Sequence, residues 1–338
     1  MERTVVQQEQ KTEQQTITVT SPGASPTLSA GGRLRALLRE LRPKQWTKNL
    51  ALFVGIVFAQ QLFSPSLFER TLLAFIAFCL ASSSIYLLND LLDLENDRQH
   101  PTKSKRPLAS GALPVSWAIA TIIVLLALCA LVTSLIFFIP IKPQADIFAR
   151  FGGASLAFAA TIATYLVLMV LYSTRLKHVV LLDVFIIASG FVLRILAGVV
   201  VIPAVISPWL YLVTILLSLF LALNKRRNEM ILLEQRASAH RQILKEYSLP
   251  LLDQMITIVT AATLMAYSLY TFQGPTGDHH LMITIPLVLY GMFRYLYLVH
   301  MRMEGGSPEE ILLRDRHMLV TVVLCIVLVI VVLYLLPQ

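Results

Sequence analysis

Residues 71–97 read TLLAFIAFCLASSSIYLLNDLLDLEND. A long apolar stretch ends abruptly in oxygen-bearing side chains, from Asn89 to Asp97. A helix rising ~1.5 Å per residue needs roughly 20 apolar residues to cross a ~30 Å hydrocarbon core, so the apolar part fits a membrane span and the acids fall at its end. The pattern recurs along the chain. Spans are predicted at about 47–64, 70–92, 115–139, 148–172, 179–201, 208–231, 251–272, 280–301 and 317–336. Helices are expected throughout, because each closes its own backbone hydrogen bonds in lipid. The period-two polarity of a membrane barrel is missing. The expected fold is all-α: a polytopic membrane protein of about nine transmembrane helices.

Composition supports this. Hydrophobic residues make up 56% of 338 positions and charged ones 14%, more apolar surface than a soluble domain could hide. Residues 1–32 are rich in Gln, Thr and Ser, lack the apolar core of a signal peptide, and are expected to be a disordered tail before a membrane domain spanning 33–338. Cys79, Cys129 and Cys325 fall inside apolar spans without metal-ligand spacing, as packing residues do.

Lys and Arg mark one side. Arg33, Arg35, Arg39, Arg42, Lys44 and Lys48 precede the first span, and further cations follow the second, fourth, sixth and eighth. The opposite loops hold Arg70, Lys142 and Arg150. The positive-inside rule then places the N-terminus and the acidic cluster in the cytoplasm and the C-terminus outside. The net charge of +8 is accounted for by topology, with no need of nucleic acid.

On a helix Asn89, Asp93 and Asp97 are successive i, i+4 neighbours whose oxygens line one face. Hard divalent ions, Mg²⁺ above all, use such clusters to hold a polyphosphate. The plainer alternative, a solvated acidic helix end, would oppose the macrodipole. Arg98, His100, Lys103, Lys105 and Arg106 follow at once. A phosphate-bearing substrate bridged by metal on one side and by Lys and Arg on the other requires this juxtaposition.

N-D-x-x-D-x-x-x-D followed by H-P-x-K-x-x-R-P-x-A-S-G resembles the first signature of the UbiA superfamily of intramembrane prenyltransferases. The resemblance extends over residues 40–336. It implies nine helices around a central cavity, a polar site capped by cytoplasmic loops, a lateral opening to lipid, and Mg²⁺ as cofactor. Where such proteins carry a second Asp-rich motif, this chain has Asn224-Lys225-Arg226-Arg227-Asn228-Glu229. Three cations there argue against a second metal and for direct capture of a phosphate.

The segment Arg42-Pro43-Lys44-Gln45-Trp46-Thr47-Lys48-Asn49 is similar to one branch of the superfamily, the decaprenyl-phosphate phosphoribosyltransferases of arabinan and arabinogalactan precursor synthesis. That similarity implies transfer of 5-phosphoribose from phosphoribosyl pyrophosphate to a polyprenyl phosphate, which makes the chain a glycosyltransferase. It leaves a homo-oligomer open. The implied catalytic residues are Asp90, Asp93 and Asp97. Asn89, Asp93 and Asp97 would be the metal ligands. Lys44, Lys48, Tyr86, Lys103, Arg106, Tyr172, Lys177, Arg194, Lys225 and Arg226 would bind substrate. The alternatives are a prenyltransferase using a prenyl diphosphate and an aromatic or quinone-precursor acceptor, and a transporter, for which the expected broken-helix repeats are not evident.

Overall fold

The structure, a computed structural model, describes residues 30–99, 103–141, 147–205, 207–234, 246–273, 279–302, 311 and 314–336. The expected tail, apart from its last three residues, lies outside them. Among the described residues there is no strand. A short surface helix, α1 (Ala30–Glu40), leads into a 3-10 segment (Pro43–Leu52) and α2 (Phe53–Phe58). Then follow α3 (Pro65–Leu92), α4 (Leu94–Gln99), α5 (Val115–Leu135), α6 (Ala154–Thr174), α7 (Leu182–Val200), α8 (Pro208–Glu234), α9 (Leu249–Phe272), α10 (Ile285–Met301) and α11 (Arg316–Tyr334).

Among the described residues, eight helices are long and apolar enough to cross a bilayer, so the expected first span differs from the rest. The chain from Pro43 to Phe58 is helical throughout, but its first ten residues are 3-10. At ~2.0 Å rise per 3-10 residue and ~1.5 Å per α residue the segment still reaches roughly 29 Å. In 3-10 geometry side chains three apart eclipse, and burial follows that period. Trp46, Asn49 and Leu52 form an inward column, whereas Lys44, Thr47 and Leu50 form an exposed one. Lys44 and Lys48, which an α-helix would align, therefore lie on different faces.

The inward column makes specific contacts. Trp46 Nε1 donates to Ser83 Oγ at 3.0 Å, and Asn49 Nδ2 donates to Ser82 Oγ at 3.2 Å. The small residues of α3 let the first span approach. On the other side α7 crosses it backbone to backbone. A Cβ on Gly198 would lie 2.0 Å from the Leu52 carbonyl oxygen, and one on Gly55 would lie 2.8 Å from the Gly198 carbonyl carbon. Such contact takes the place of a hydrophobic drive that lipid cannot supply.

Helices α3 and α7 are the central ones, with 61% and 56% of their spans buried against 22% for α5. One apolar cluster (Leu52, Ile56, Phe78, Phe158, Val201) joins them to the first span and α6. Another (Phe220, Leu223, Leu252, Met292, Tyr295) joins α8, α9 and α10. Arg70, expected as an outer-loop cation, is 1% exposed inside α3. Its Nε donates to Val201 O at 2.7 Å, its Nη1 to Ile136 O and Ile139 O at 2.8 Å, and its Nη2 to Ser155 Oγ at 2.9 Å. It satisfies carbonyls at the ends of α5 and α7 that lipid could not.

Gly198→Ala should lower the melting temperature of the purified protein by several degrees, because backbone must move to admit the methyl group, at a cost of about 1–3 kcal/mol or more. Gly291→Ala, whose Cβ would meet Thr321 Cγ2 at 3.6 Å, should be tolerated. Equal melting temperatures for the two variants would refute the close crossing.

Candidate functional site

The polar end of α3 is not one continuous helix. α3 ends at Leu92, Asp93 is its C-cap (φ −95°, ψ 9°), and α4 begins at Leu94. Amide hydrogen bonds still span the break, Asp93 N to Asn89 O at 2.9 Å and Asp97 N to Asp93 O at 2.8 Å. The acids sort into two groups. Asn89 Nδ2 donates to Asp93 Oδ2 at 3.2 Å, and Lys177 Nζ donates to Asp93 Oδ1 at 2.6 Å. Asp90 and Asp97 share Arg106, whose Nη1 lies 2.8 Å from Asp90 Oδ1 and 2.5 Å from Asp97 Oδ2. The expected Asn89–Asp93–Asp97 stack is thus divided. Asp97 is buried and turned to Arg106, with Lys103 Nζ at 3.8 Å, while Asn89 and Asp93 stay half-open.

Asp90 is 2% exposed, and Arg42 pairs with its second oxygen. Arg42 reaches it from a left-handed backbone conformation (φ 53°, ψ 58°) and lies over the Tyr86 ring, 5.2 Å from its centroid. Both Asp90 oxygens are therefore occupied, which makes it an anchor for the N-terminal segment rather than an open ligand. Glu40, also 2% exposed, hydrogen-bonds the same carboxylate. Burial, then the neighbouring Asp90 charge, push the Glu40 carboxyl up to about 7, although Arg42 and Arg106 pull the other way. Sequence reasoning missed Glu40. Its one signal was that it is the only acid between Ala30 and Phe68.

The cations near Asn224 do not stand alone. Arg226, 2% exposed, pairs with Asp183 of α7 and with Glu229. Arg227 Nε donates to Asp253 Oδ1 of α9 at 2.6 Å. Tyr247, its hydroxyl pushed up to about 12 by burial, donates to Asp183 Oδ1 at 2.8 Å and accepts from Leu181 N at 2.8 Å. Three acids balance three cations, so the expected excess of positive charge is corrected. Lys225 alone of the three makes no ion pair with a described residue. Tyr172 is half-buried, close enough to Arg226 to affect it electrostatically. Four buried atoms here, Asp183 Oδ2, Asn224 Oδ1, Arg226 Nε and Arg227 Nη1, have no hydrogen-bond partner among the described residues, although Asp183 Oδ2 is ion-paired with Arg226.

Arg194 is held by neutral groups. Its nitrogens donate to Asn49 Oδ1 at 2.7 Å, Gly190 O at 2.7 Å and Tyr165 Oη at 2.9 Å. All three nitrogens are engaged, to Asn49 of the first span, Gly190 of α7 and Tyr165 of α6, so Arg194 joins these three segments. Lys44 is exposed and Lys48 half-buried on another column.

Among the described residues no three acidic, His or Cys side chains converge as a ready-made cage for a metal. The donor set nevertheless suits Mg²⁺, which binds through one or two carboxylates and completes its shell with water and substrate phosphate. Asn89 and Asp93 are the half-exposed oxygen donors of the cluster, although each Asp93 oxygen already accepts one hydrogen bond, from Asn89 or Lys177.

Residues 49–309 match the family model described as the UbiA prenyltransferase family. The chain belongs to that family. Two curated relatives are both named decaprenyl-phosphate phosphoribosyltransferase. The Corynebacterium glutamicum protein is 30% identical over 309 residues, covering 89% of this chain and 88% of the relative. The Mycolicibacterium smegmatis protein is 31% identical over 312 residues, covering 88% and 92%. A UbiA homolog from Archaeoglobus fulgidus, solved bound to GPP and Mg²⁺, superposes with a TM-score of 0.65 at 18% identity, covering 88% of this chain and 99% of that one. The all-helical UbiA fold and a multi-pass membrane location follow. As a UbiA family member resembling named phosphoribosyltransferases, the chain is a transferase.

Because the fold raises Glu40 above its unfolded value of 4.5, its contribution to stability is complete below that pH and is lost as pH climbs through about 7. Wild type should therefore lose stability relative to Glu40→Gln between about pH 6 and about pH 8. Parallel melting curves of the two proteins at both pH values would disprove the shared proton.

Proposed function

We propose that the protein transfers 5-phosphoribose from phosphoribosyl pyrophosphate to a polyprenyl phosphate, releasing pyrophosphate, with the site on the cytoplasmic face of a bacterial plasma membrane. The supporting observation is the charge around the Asn89–Asp97 cluster. Four cations, Arg42, Lys103, Arg106 and Lys177, face the three carboxylates Asp90, Asp93 and Asp97. The adjoining Glu40 carboxyl, pushed up to about 7, stays largely protonated below that pH, so the cluster is net positive there and favours a multiply charged phosphate donor over a neutral one. The names of the relatives point the same way.

Mg²⁺, when bound, would neutralise charge on the pyrophosphate and so stabilise it as a leaving group. Asn89 and Asp93 would hold the ion. Lys177, already on Asp93, and Lys103 and Arg106 at the mouth would take further phosphate oxygens. As the bond from ribose C1 to the pyrophosphate oxygen breaks, positive charge develops on the ring, and an oxygen of the lipid phosphate forms the new bond from the opposite face. No general base is required, because the acceptor is already an anion at neutral pH. Lys225 and Arg227 Nη1, which has no partner among the described residues, would receive the phosphate at the far end of the donor or that of the lipid.

The neutral balance at Arg226 and Arg227 removes one objection to a prenyl diphosphate donor, so both donors belong in the test. Purified protein incubated with polyprenyl phosphate and labelled phosphoribosyl pyrophosphate should yield a phosphoribosylated lipid, identified by its mass. Product formed only from a prenyl diphosphate and an aromatic acceptor would overturn the proposal.

Asp93→Asn should nearly abolish turnover while the protein remains in the membrane, and chelation of divalent ions should do the same. Activity within about twofold of wild type at saturating Mg²⁺ would rule out the metal assignment. Lys225→Ala should lower kcat/KM roughly 10- to 150-fold for whichever substrate carries the phosphate it grips, as expected for a charge-assisted hydrogen bond of about 1.5–3 kcal/mol. Unchanged constants for both substrates would return Lys225 to a topological role.

A further inference from the structure

A groove of about 440 Å³ lies between α10 and α11, lined by Tyr290, Arg316, His317, Val320 and Thr321. It is remote in sequence from every residue assigned above to transfer. Its polar end lies at the start of α11, on the same face of the bundle as the end of α3, because the intervening spans alternate in direction.

The rim is rigid. Asp315 accepts from Arg294 Nη2 at 2.7 Å and Nε at 3.2 Å, and its Oδ1 also accepts from Met318 N at 2.8 Å, capping α11. This fork neutralises Arg294, a cation inside α10 that would otherwise be costly in lipid. It leaves Arg316, the next residue along, exposed and in no ion pair with a described residue. His317 follows and is exposed as well. Below them the wall turns apolar. α11 has a mean hydropathy of 2.9 over its span, and Leu319, Val320, Val323 and Leu324 all face outward.

We infer that this groove binds an anionic phospholipid, with its phosphate on Arg316 and His317 and its glycerol and first methylenes along Val320, Thr321 and the Tyr290 ring. An arginine and an imidazole at headgroup level above an outward apolar wall complement such a lipid at both ends, and basic pockets between transmembrane helices have this preference. Free phosphate would use only the upper half of the groove. A soluble protein would meet the lower half only within the bilayer.

The rival explanation is diffuse attraction, since this face carries many other cations. Filling the groove without changing its charge separates the two. Full-length protein, purified in a neutral detergent and examined by native mass spectrometry with phosphatidylglycerol or phosphatidylcholine, should retain one phosphatidylglycerol in preference. Arg316→Ala with His317→Ala should weaken that retention about fivefold or more, the worth of one Arg at the surface. Val320→Trp, with both polar side chains in place, should weaken it as much. Arg302→Ala, an exposed cation on the same face but outside the groove, should leave it intact. Wild-type retention by Val320→Trp, equal retention of the two lipids, or displacement of phosphatidylglycerol by equimolar inorganic phosphate would each overturn the proposal.

Discussion

Asp90 is the buried charge on which the site is built. A carboxylate removed from water at a membrane surface is tolerable only when paired and hydrogen-bonded on both oxygens. Arg42 and Arg106 supply those pairs from segments 48 residues before and 16 residues after it. One anion thereby fastens the N-terminal segment and the basic loop to the end of α3. Arg106 carries the link on to Asp97, so the loop is held at two points. With Asp90 and Asp97 buried inside the protein, Asn89 and Asp93 are left as the half-exposed oxygens of the cluster.

The same fastening accounts for the unusual first span. Arg42 meets Asp90 from a left-handed backbone conformation, and Pro43 follows immediately. The chain then descends as a 3-10 helix. That geometry turns Trp46, Asn49 and Leu52 toward α3 and α7 in a single column and reaches across the bilayer with fewer residues than an α-helix needs. Gly198 is the counterpart of this choice, because only a residue without a Cβ admits the Leu52 carbonyl at that distance.

Much of the fold was legible because apolar length is a one-dimensional signal, and the acidic cluster stood out against twenty apolar neighbours. What could not be read depends on partners from other helices. Residues 43–52 form too short a window to distinguish period 3.0 from 3.6, so the sequence could not show that Lys44 and Lys48 lie on different faces. Asp183 and Arg194 do share a face of α7, but eleven residues separate them by about 16 Å along the axis. At one depth Asp183 meets Arg226 and Tyr247. At the other Arg194 meets Asn49 and Tyr165.

The sequence Asn224-Lys225-Arg226-Arg227 shows most clearly how counting charges along a chain differs from counting them in space. Along the chain it is a block of three cations. In the bundle Arg226 turns to α7 and Arg227 to α9, each toward an acid contributed by a different span, because residues adjacent on a helix point about 100° apart. Burial then enforces neutrality: a guanidinium 2% exposed persists there only with its carboxylates beside it. Lys225, half-buried and unpaired with a described residue, escapes that constraint. Of the three cations it is therefore the one whose charge no described carboxylate neutralises.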